Sequence, residues 1–246
     1  MHPARGFIKA RVSDHHLHVK VCGMIELYHS MSARSFRPLW ALEALGVEYK
    51  LHMLPFPPRY LAREFLEINP LGTVPALITE QGALMTESAA ICEYLAQAYG
   101  PSTLAVRPDE KDFASYLNWL HHGETTLTFP QTIVLRYGKF EPAERQLEQA
   151  VEDYSRWFLS RLRAVEATLA DRAYLCENRF TMADISVGYA LMLAKFIGLG
   201  CDFSQAVNEY WGRLRIEPSF QKAWNVQEVS AIQQGVPTTH APLGTP

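Results

Sequence analysis

The run His29-Ser30-Met31-Ser32-Ala33-Arg34-Ser35 packs three hydroxyls, an imidazole and a guanidinium into one short stretch. Such groups are the donors that hold an anion, whether phosphate, carboxylate or thiolate. The flanking residues say how they would be positioned. Residues 24–28 form an apolar strand segment, and Leu39, Leu42 and Leu45 recur at helical spacing. Proline is tolerated only in the first turn of a helix, so Pro38 makes Ser35 the expected N-cap, its hydroxyl committed to the backbone. The residues before Ser35 then lie in front of a positive helix end with unpaired N–H groups. A capped βα turn with no ligand accounts for the same residues, so the turn by itself does not establish function.

Composition narrows the classes. At 246 residues the chain is long enough for one large domain or two modest ones, and 48% hydrophobic with 20% charged residues is a globular balance. A net charge of −3, with both signs interspersed, leaves no footprint for nucleic acid. The longest apolar stretch, residues 185–199, is interrupted by Lys195 and by glycines, so no membrane span is expected. Cys22, Cys92, Cys176 and Cys201 show no CxxC or metal-ligand spacing and read as free thiols in a reducing compartment, the cytoplasm. Residues 1–23 carry scattered charges and no apolar core of a signal peptide, and read as a flexible extension. Its His15, His16 and His18 are candidates for adventitious metal binding only.

Further along, residues 47–53 alternate as a second strand, and β-helix-β order implies parallel pairing. Residues 59–68 suit a short helix, and Val74-Pro75 enters a third strand. Glu80-Gln81-Gly82 turns into a fourth, and Thr86-Glu87-Ser88 opens a helix over 89–99. Helical periodicity covers 110–137, 142–169, 183–199 and 205–216, with Thr181-Met182-Ala183-Asp184 as a capping box. The Gln, Thr, Gly and Pro of 226–246 predict a loose tail.

Four stretches, LYHSMSARSFRPLWALEALGVEY, INPLGTVPALI, MTESAAICEYLA and FTMADISVGYAL, occur in an order that resembles the soluble glutathione transferases, in particular bacterial-like members with a serine-type active site. The resemblance implies a thioredoxin-like α/β domain at 24–100 that binds glutathione, a linker at 101–109, and an all-α domain at 110–225 that takes an electrophile. It implies a dimer, glutathione as co-substrate, and no metal or nicotinamide. It implies a cis Pro75, with the backbone of Val74 pairing to glutathione's cysteinyl unit, and Glu87 with Ser88 holding the γ-glutamyl end. The sulfur's hydrogen-bond donor is expected to be Ser32, supported by Arg34 and Ser35, with Ser30, Ser35 and Tyr28 as alternatives. Tyr28 is expected to pack. No cysteine lies between residues 25 and 91, which disfavours thiol exchange. Two departures stand out: Ala33 where several bacterial relatives have Ser before the Arg, and Thr73 where many have Lys or Gln. Thr73 is short for holding the glycyl carboxylate, so His52, Arg59 or Arg37 are candidates beside it. Tyr116 and His122, from an aromatic and basic series on one helix, are the electrophile-site candidates.

The implied activity is attack of glutathione thiolate on a small apolar electrophile, in detoxification. The rivals are a non-catalytic binding or assembly module on the same fold, and a glutathione-dependent isomerase or dehalogenase.

Overall fold

The computed structural model describes residues 23–100 and 103–243. The expected N-terminal extension therefore lies outside the described residues, apart from Gly23. The chain opens with β1 (Ile25–His29), α1 (Phe36–Leu45) and β2 (Tyr49–Met53). A short α2 (Pro58–Leu61) and a 3-10 turn, Arg63–Glu67, lead to β3 (Ala76–Ile78), β4 (Leu84–Met85) and α3 (Ser88–Ala98). The strands form a sheet in the order β2-β1-β3-β4, with β1 parallel to β2 and the other pairs antiparallel. This is a thioredoxin-like domain.

Alternation along β1 sorts its side chains. Leu27 and His29 face α1, while Glu26 and Tyr28 share the opposite face with His52, the residue in register with Tyr28. Tyr28 packs, as expected, stacked on His52 with ring centroids 4.4 Å apart and tilted against Phe65. Gly46 takes a left-handed φ of 66° at the end of α1, which lets its N–H cap Leu42 O and turns the chain into β2.

The helical part begins with one long rod: α4 (Phe113–His121), a π-turn His122–Thr128, α5 (Phe129–Leu135) and a second π-turn Arg136–Phe140. Then come α6 (Glu148–Leu169), α7 (Met182–Phe196), α8 (Gln205–Arg215) and α9 (Pro218–Gln233). α7 is buried on nearly every side, and its capping box forms as read: Thr181 N–H donates to Asp184 Oδ2 at 2.8 Å. One apolar core runs through both parts, from Trp40 and Leu42 of α1 to Leu191 and Leu193 of α7.

The expectation of a loose tail over 226–246 is corrected. Residues 218–233 are α9, which packs on α1 and β2 with Phe220, Ala223, Gln227 and Ala231 buried. Beyond it, Gln234 closes the free edge of β2: its Oε1 accepts from Met53 N–H and its Nε2 donates to Leu51 O. The spacing of those buried residues is helical, but three of them are small or polar. That hides the helix from a reading by hydrophobicity.

Gly123 marks the tightest approach between helices. A Cβ there would sit 2.6 Å from the backbone carbon of Ser186 in α7. Gly123→Ala is therefore expected to destabilise the fold by about 1–3 kcal/mol, the usual cost of overpacking. Urea unfolding checks this, and a midpoint equal to the parent's would show that the π-turn and α7 separate freely.

Candidate functional site

Everything in the opening turn of residues 29–35 except Arg34 is buried. Ser32 adopts φ 53°, a left-handed backbone that costs a non-glycine residue about 1–2 kcal/mol and needs support from its surroundings. That support comes from far along the chain. Ser32 N–H donates to Gln227 Oε1 at 2.9 Å, and Gln227 Nε2 lies 3.3 Å from Ser32 Oγ. Tyr189 O–H, 3.5 Å away, faces Ser32 O.

The protons in this network can be placed by satisfying each donor. Gln227 Oε1 only accepts, so His29 Nε2, at 3.0 Å, carries a hydrogen and donates to it. Burial pushes the His29 imidazole down from 6.5 to about 4, against hydrogen bonds from Gln227 and Ser35 that raise it, so the ring is neutral at pH 7. Its bare Nδ1 accepts from the Ser35 hydroxyl at 2.7 Å, while Ser35 Oγ accepts from Ser30 N–H. Ser35 stands at the N-cap of α1 without a side-chain cap bond, so the expected commitment to the helix backbone is corrected. Its hydroxyl faces back to β1. Ser30 Oγ is buried with no protein partner.

Ser32 Oγ has a second neighbour, His240 Nδ1, at 2.8 Å. In the neutral tautomer whose Nδ1 is bare, the serine's own proton points at that nitrogen, on the side away from the Gln227 amide. His240 belongs to the segment after α9, tied down by Ala241 N–H to Met31 O at 2.7 Å and by Lys139 Nζ to Pro242 O at 3.0 Å. Its ring lies beside Phe196 and Trp224. Burial lowers its pKa, with Glu228 opposing, which favours the neutral, accepting form.

Beside the turn sits an ion cluster. Arg34 Nη1 reaches Glu124 Oε1 at 2.9 Å, and Arg37 also pairs with Glu124. Burial disfavours the charge on Glu124, and Arg37 and Arg34 more than offset this, holding its carboxyl below the usual range. Ser88 Oγ donates to the same carboxylate at 3.1 Å and accepts from Arg37 at 3.3 Å. The Ser88 hydroxyl, expected to help hold a ligand, is thus hydrogen-bonded inside the cluster in this structure. Its helix still begins there, behind an exposed Glu87.

Several other candidates are redirected. His52 bonds Glu26 on the sheet face opposite His29, which corrects its expected role in holding the glycyl carboxylate. Arg37 spends its donors on Ser186 O, Ser88, Glu124, Gly123 O and Thr128, and is likewise committed elsewhere. Arg59 lies over the Tyr60 ring at the surface. Tyr116 is fully buried with its hydroxyl on Glu93, so it lines no electrophile pocket. His122 packs edge-on against Trp119, and burial, aided by Arg161, lowers its pKa. None of its contacts reaches the turn. Thr73 is exposed, with its carbonyl accepting from Asn69 Nδ2 at 2.8 Å. The Val74–Pro75 bond is cis, as the resemblance implied, and Val74 lies beyond the Tyr28–Ala76 end of the ladder. Sequence reasoning misses Gln227 and His240 altogether. Polar residues in a tail that reads as loose carry no signal of their own.

Among known proteins, residues 31–98 match the model of the glutathione S-transferase N-terminal domain. The chain is 26% identical over 182 residues to glutathione S-transferase 3 of Schizosaccharomyces pombe, covering 70% of this chain and 75% of that protein. It is 29% identical over 179 residues to glutathione S-transferase 2 of Saccharomyces cerevisiae, covering 68% and 74%. A sphingomonad glutathione S-transferase solved in complex with glutathione superposes with a TM-score of 0.72 at 25% identity, over 82% of this chain and 98% of that one. Among the described residues no helix is long and apolar enough to cross a membrane.

The buried neutral His29 makes stability depend on pH. Its folded pKa of about 4 lies below the unfolded 6.5, so as pH falls through that window the unfolded chain binds a proton that the native site refuses. Native stability should drop by up to about 3 kcal/mol between pH 6.5 and 4, because each tenfold rise in proton concentration across that window favours the unfolded chain by about 1.4 kcal/mol. Urea unfolding across this range checks it. His29→Gln should remove that part of the slope, and an unaltered slope would refute the assignment.

Proposed function

We propose that this chain is a glutathione S-transferase that transfers the glutathione thiolate to a small apolar electrophile, with the Ser32 hydroxyl as the hydrogen-bond donor to the sulfur. The observation that carries this reading is the Ser32 hydroxyl, held at the strand-to-helix turn with its one proton directed away from the protein amide that supports it. The fold and the exposed Glu87 at the start of α3 support it as well. Glutathione's backbone pairs with Val74 as an added strand, and its γ-glutamyl ammonium meets Glu87, with the carboxylate at the α3 N-terminus.

In the reaction the thiol gives its proton to solvent, and Ser32 O–H stabilises the thiolate that remains, aided by the N-terminal end of α1 and the Arg34 charge. The sulfur's electron pair then forms the bond to the electrophilic carbon, and the leaving group departs with the electrons of the bond that breaks. To reach Ser32, the sulfur takes the place that His240 Nδ1 holds in this structure. The free buried thiols of Cys92 and Cys176 support a reducing, cytoplasmic setting.

The chain also forms a homodimer in this reading. A cleft of about 290 Å3 between α5 and α6 exposes Phe129 at 56% and Trp157 at 48%, with Tyr154 stacked on Trp157. Large exposed aromatics in one patch mark an interface. Trp157→Glu is expected to convert a dimer to a monomer in sedimentation. A monomeric parent would refute the dimer.

For the chemistry, the parent should turn over a generic aryl halide with glutathione. Ser32→Ala should raise the pKa of bound glutathione's thiol by about one to two, since a hydrogen bond to a charged group is worth about 1.5–3 kcal/mol. The ultraviolet absorbance of the thiolate, titrated in the binary complex, reads this. An unmoved pKa would transfer the role to Ser30, whose hydroxyl has no protein partner.

A further inference from the structure

Gln227 is a polar side chain with no exposure, on the helix farthest along the chain, and its three hydrogen bonds all go to the turn or to the strand that feeds it. Both lone pairs of its Oε1 are taken, by His29 Nε2–H and Ser32 N–H. Because the Ser32 backbone N–H can only donate, the carboxamide atom facing it must be the oxygen, and the nitrogen must face Ser32 Oγ. The first bond, to Ser32 N–H, holds the residue in its left-handed backbone. The second, from Nε2, fills one lone pair of Oγ and turns the hydroxyl proton to the other side.

On that other side stands His240 Nδ1, 2.8 Å from Oγ. In the tautomer whose Nδ1 is bare, this nitrogen is an acceptor, delivered by a segment that docks through Ala241 and Pro242. Its place is where an acceptor must lie to receive the proton that Gln227 has directed. A hydroxyl that accepts one hydrogen bond is also polarised into a better donor for the next.

We propose that Gln227 is a positioning residue of this site: its carboxamide locks Ser32 in the left-handed turn and aims the serine proton at the sulfur of glutathione. This rests on the reading of Ser32 as the sulfur's partner. His29, which fixes the carboxamide, and Ser35, which fixes His29, extend the same chain of donors. The groups facing the turn are Arg34, Tyr189 and His240, with Glu124 behind Arg34 and Glu228 beside His240.

The test titrates the bound thiol by thiolate absorbance in the parent, Ser32→Ala, Gln227→Met, Gln227→Glu and the Ser32→Ala/Gln227→Met double variant. Gln227→Met keeps the side-chain length and removes every hydrogen bond. It should raise the bound thiol's pKa by about one, about a tenfold loss of thiolate near neutral pH, with glutathione affinity within about threefold of the parent. Gln227→Glu keeps the acceptors but cannot donate to Oγ, so it should show the same rise and cover the case in which Gln227→Met does not fold. The double variant should rise no further than Ser32→Ala, because the two residues act through one atom. A rise in Ser32→Ala with parent values in both Gln227 variants would overturn the proposal and leave Gln227 a packing residue. Parent values in Ser32→Ala would instead overturn the reading of Ser32 itself.

Discussion

The Arg37 guanidinium is buried without exposure between the two domains, and each of its N–H groups has an acceptor. Such a charge is costly to bury unless it is paired and fully hydrogen-bonded. Here Glu124 supplies the opposite charge, and the carbonyls of Gly123 and Ser186 and the hydroxyls of Ser88 and Thr128 supply the rest. The Tyr189 ring lies 4.3 Å from the guanidinium carbon. Since Arg37 is on α1, directly behind the polar turn, the helix that presents the site cannot shift relative to the helical domain without stranding a buried charge. The π-turn at His122–Thr128 belongs to this arrangement, because the Gly123 carbonyl it presents accepts both Arg37 and Thr128.

What the ion cluster does for α1, the amide network does for the turn. The Ser30 N–H, Ser35, His29, Gln227 and Ser32 form a sequence of donors and acceptors that links β1 to α9. A strained serine backbone, a neutral buried histidine and a buried glutamine would each cost stability alone. Together they satisfy one another. The cost of placing a hydroxyl at this spot is carried by α9, which is also tied to α1 by Trp40 Nε1–H donating to Ser219 Oγ and by the Lys222–Glu43 ion pair.

The fold is largely legible in the sequence because its signals are local. Apolar alternation marks β1, Leu39, Leu42 and Leu45 mark α1, and Thr181 with Asp184 marks the start of α7. The site is legible only as far as the turn. Ser88, His52 and Tyr116 are plausible ligands by type, but each is claimed by a carboxylate distant in sequence: Glu124, Glu26 and Glu93. No spacing rule connects such pairs. The long central rod reads as one helix, which it nearly is, whereas the π-turns that bring Glu124 to Arg37 have no compositional mark. α9 escapes for a related reason. Its inward face presents alanines and a glutamine, and the glutamine is inward because of a histidine 198 positions earlier.

That separation bears on how the protein is made. A nascent chain can fold its β-α-β unit soon after residue 100 leaves the ribosome, since domains form in order of synthesis. At that moment the turn lacks Gln227, and Ser32 has nothing to hold it in a left-handed backbone. The turn is thus completed only by the arrival of α9, whose glutamine is made 195 positions after its serine. A chain that has not yet reached residue 227 can be folded at its front and still lack the carboxamide that holds Ser32, so completion of the turn waits on the docking of α9 rather than on the folding of the domain that carries the turn.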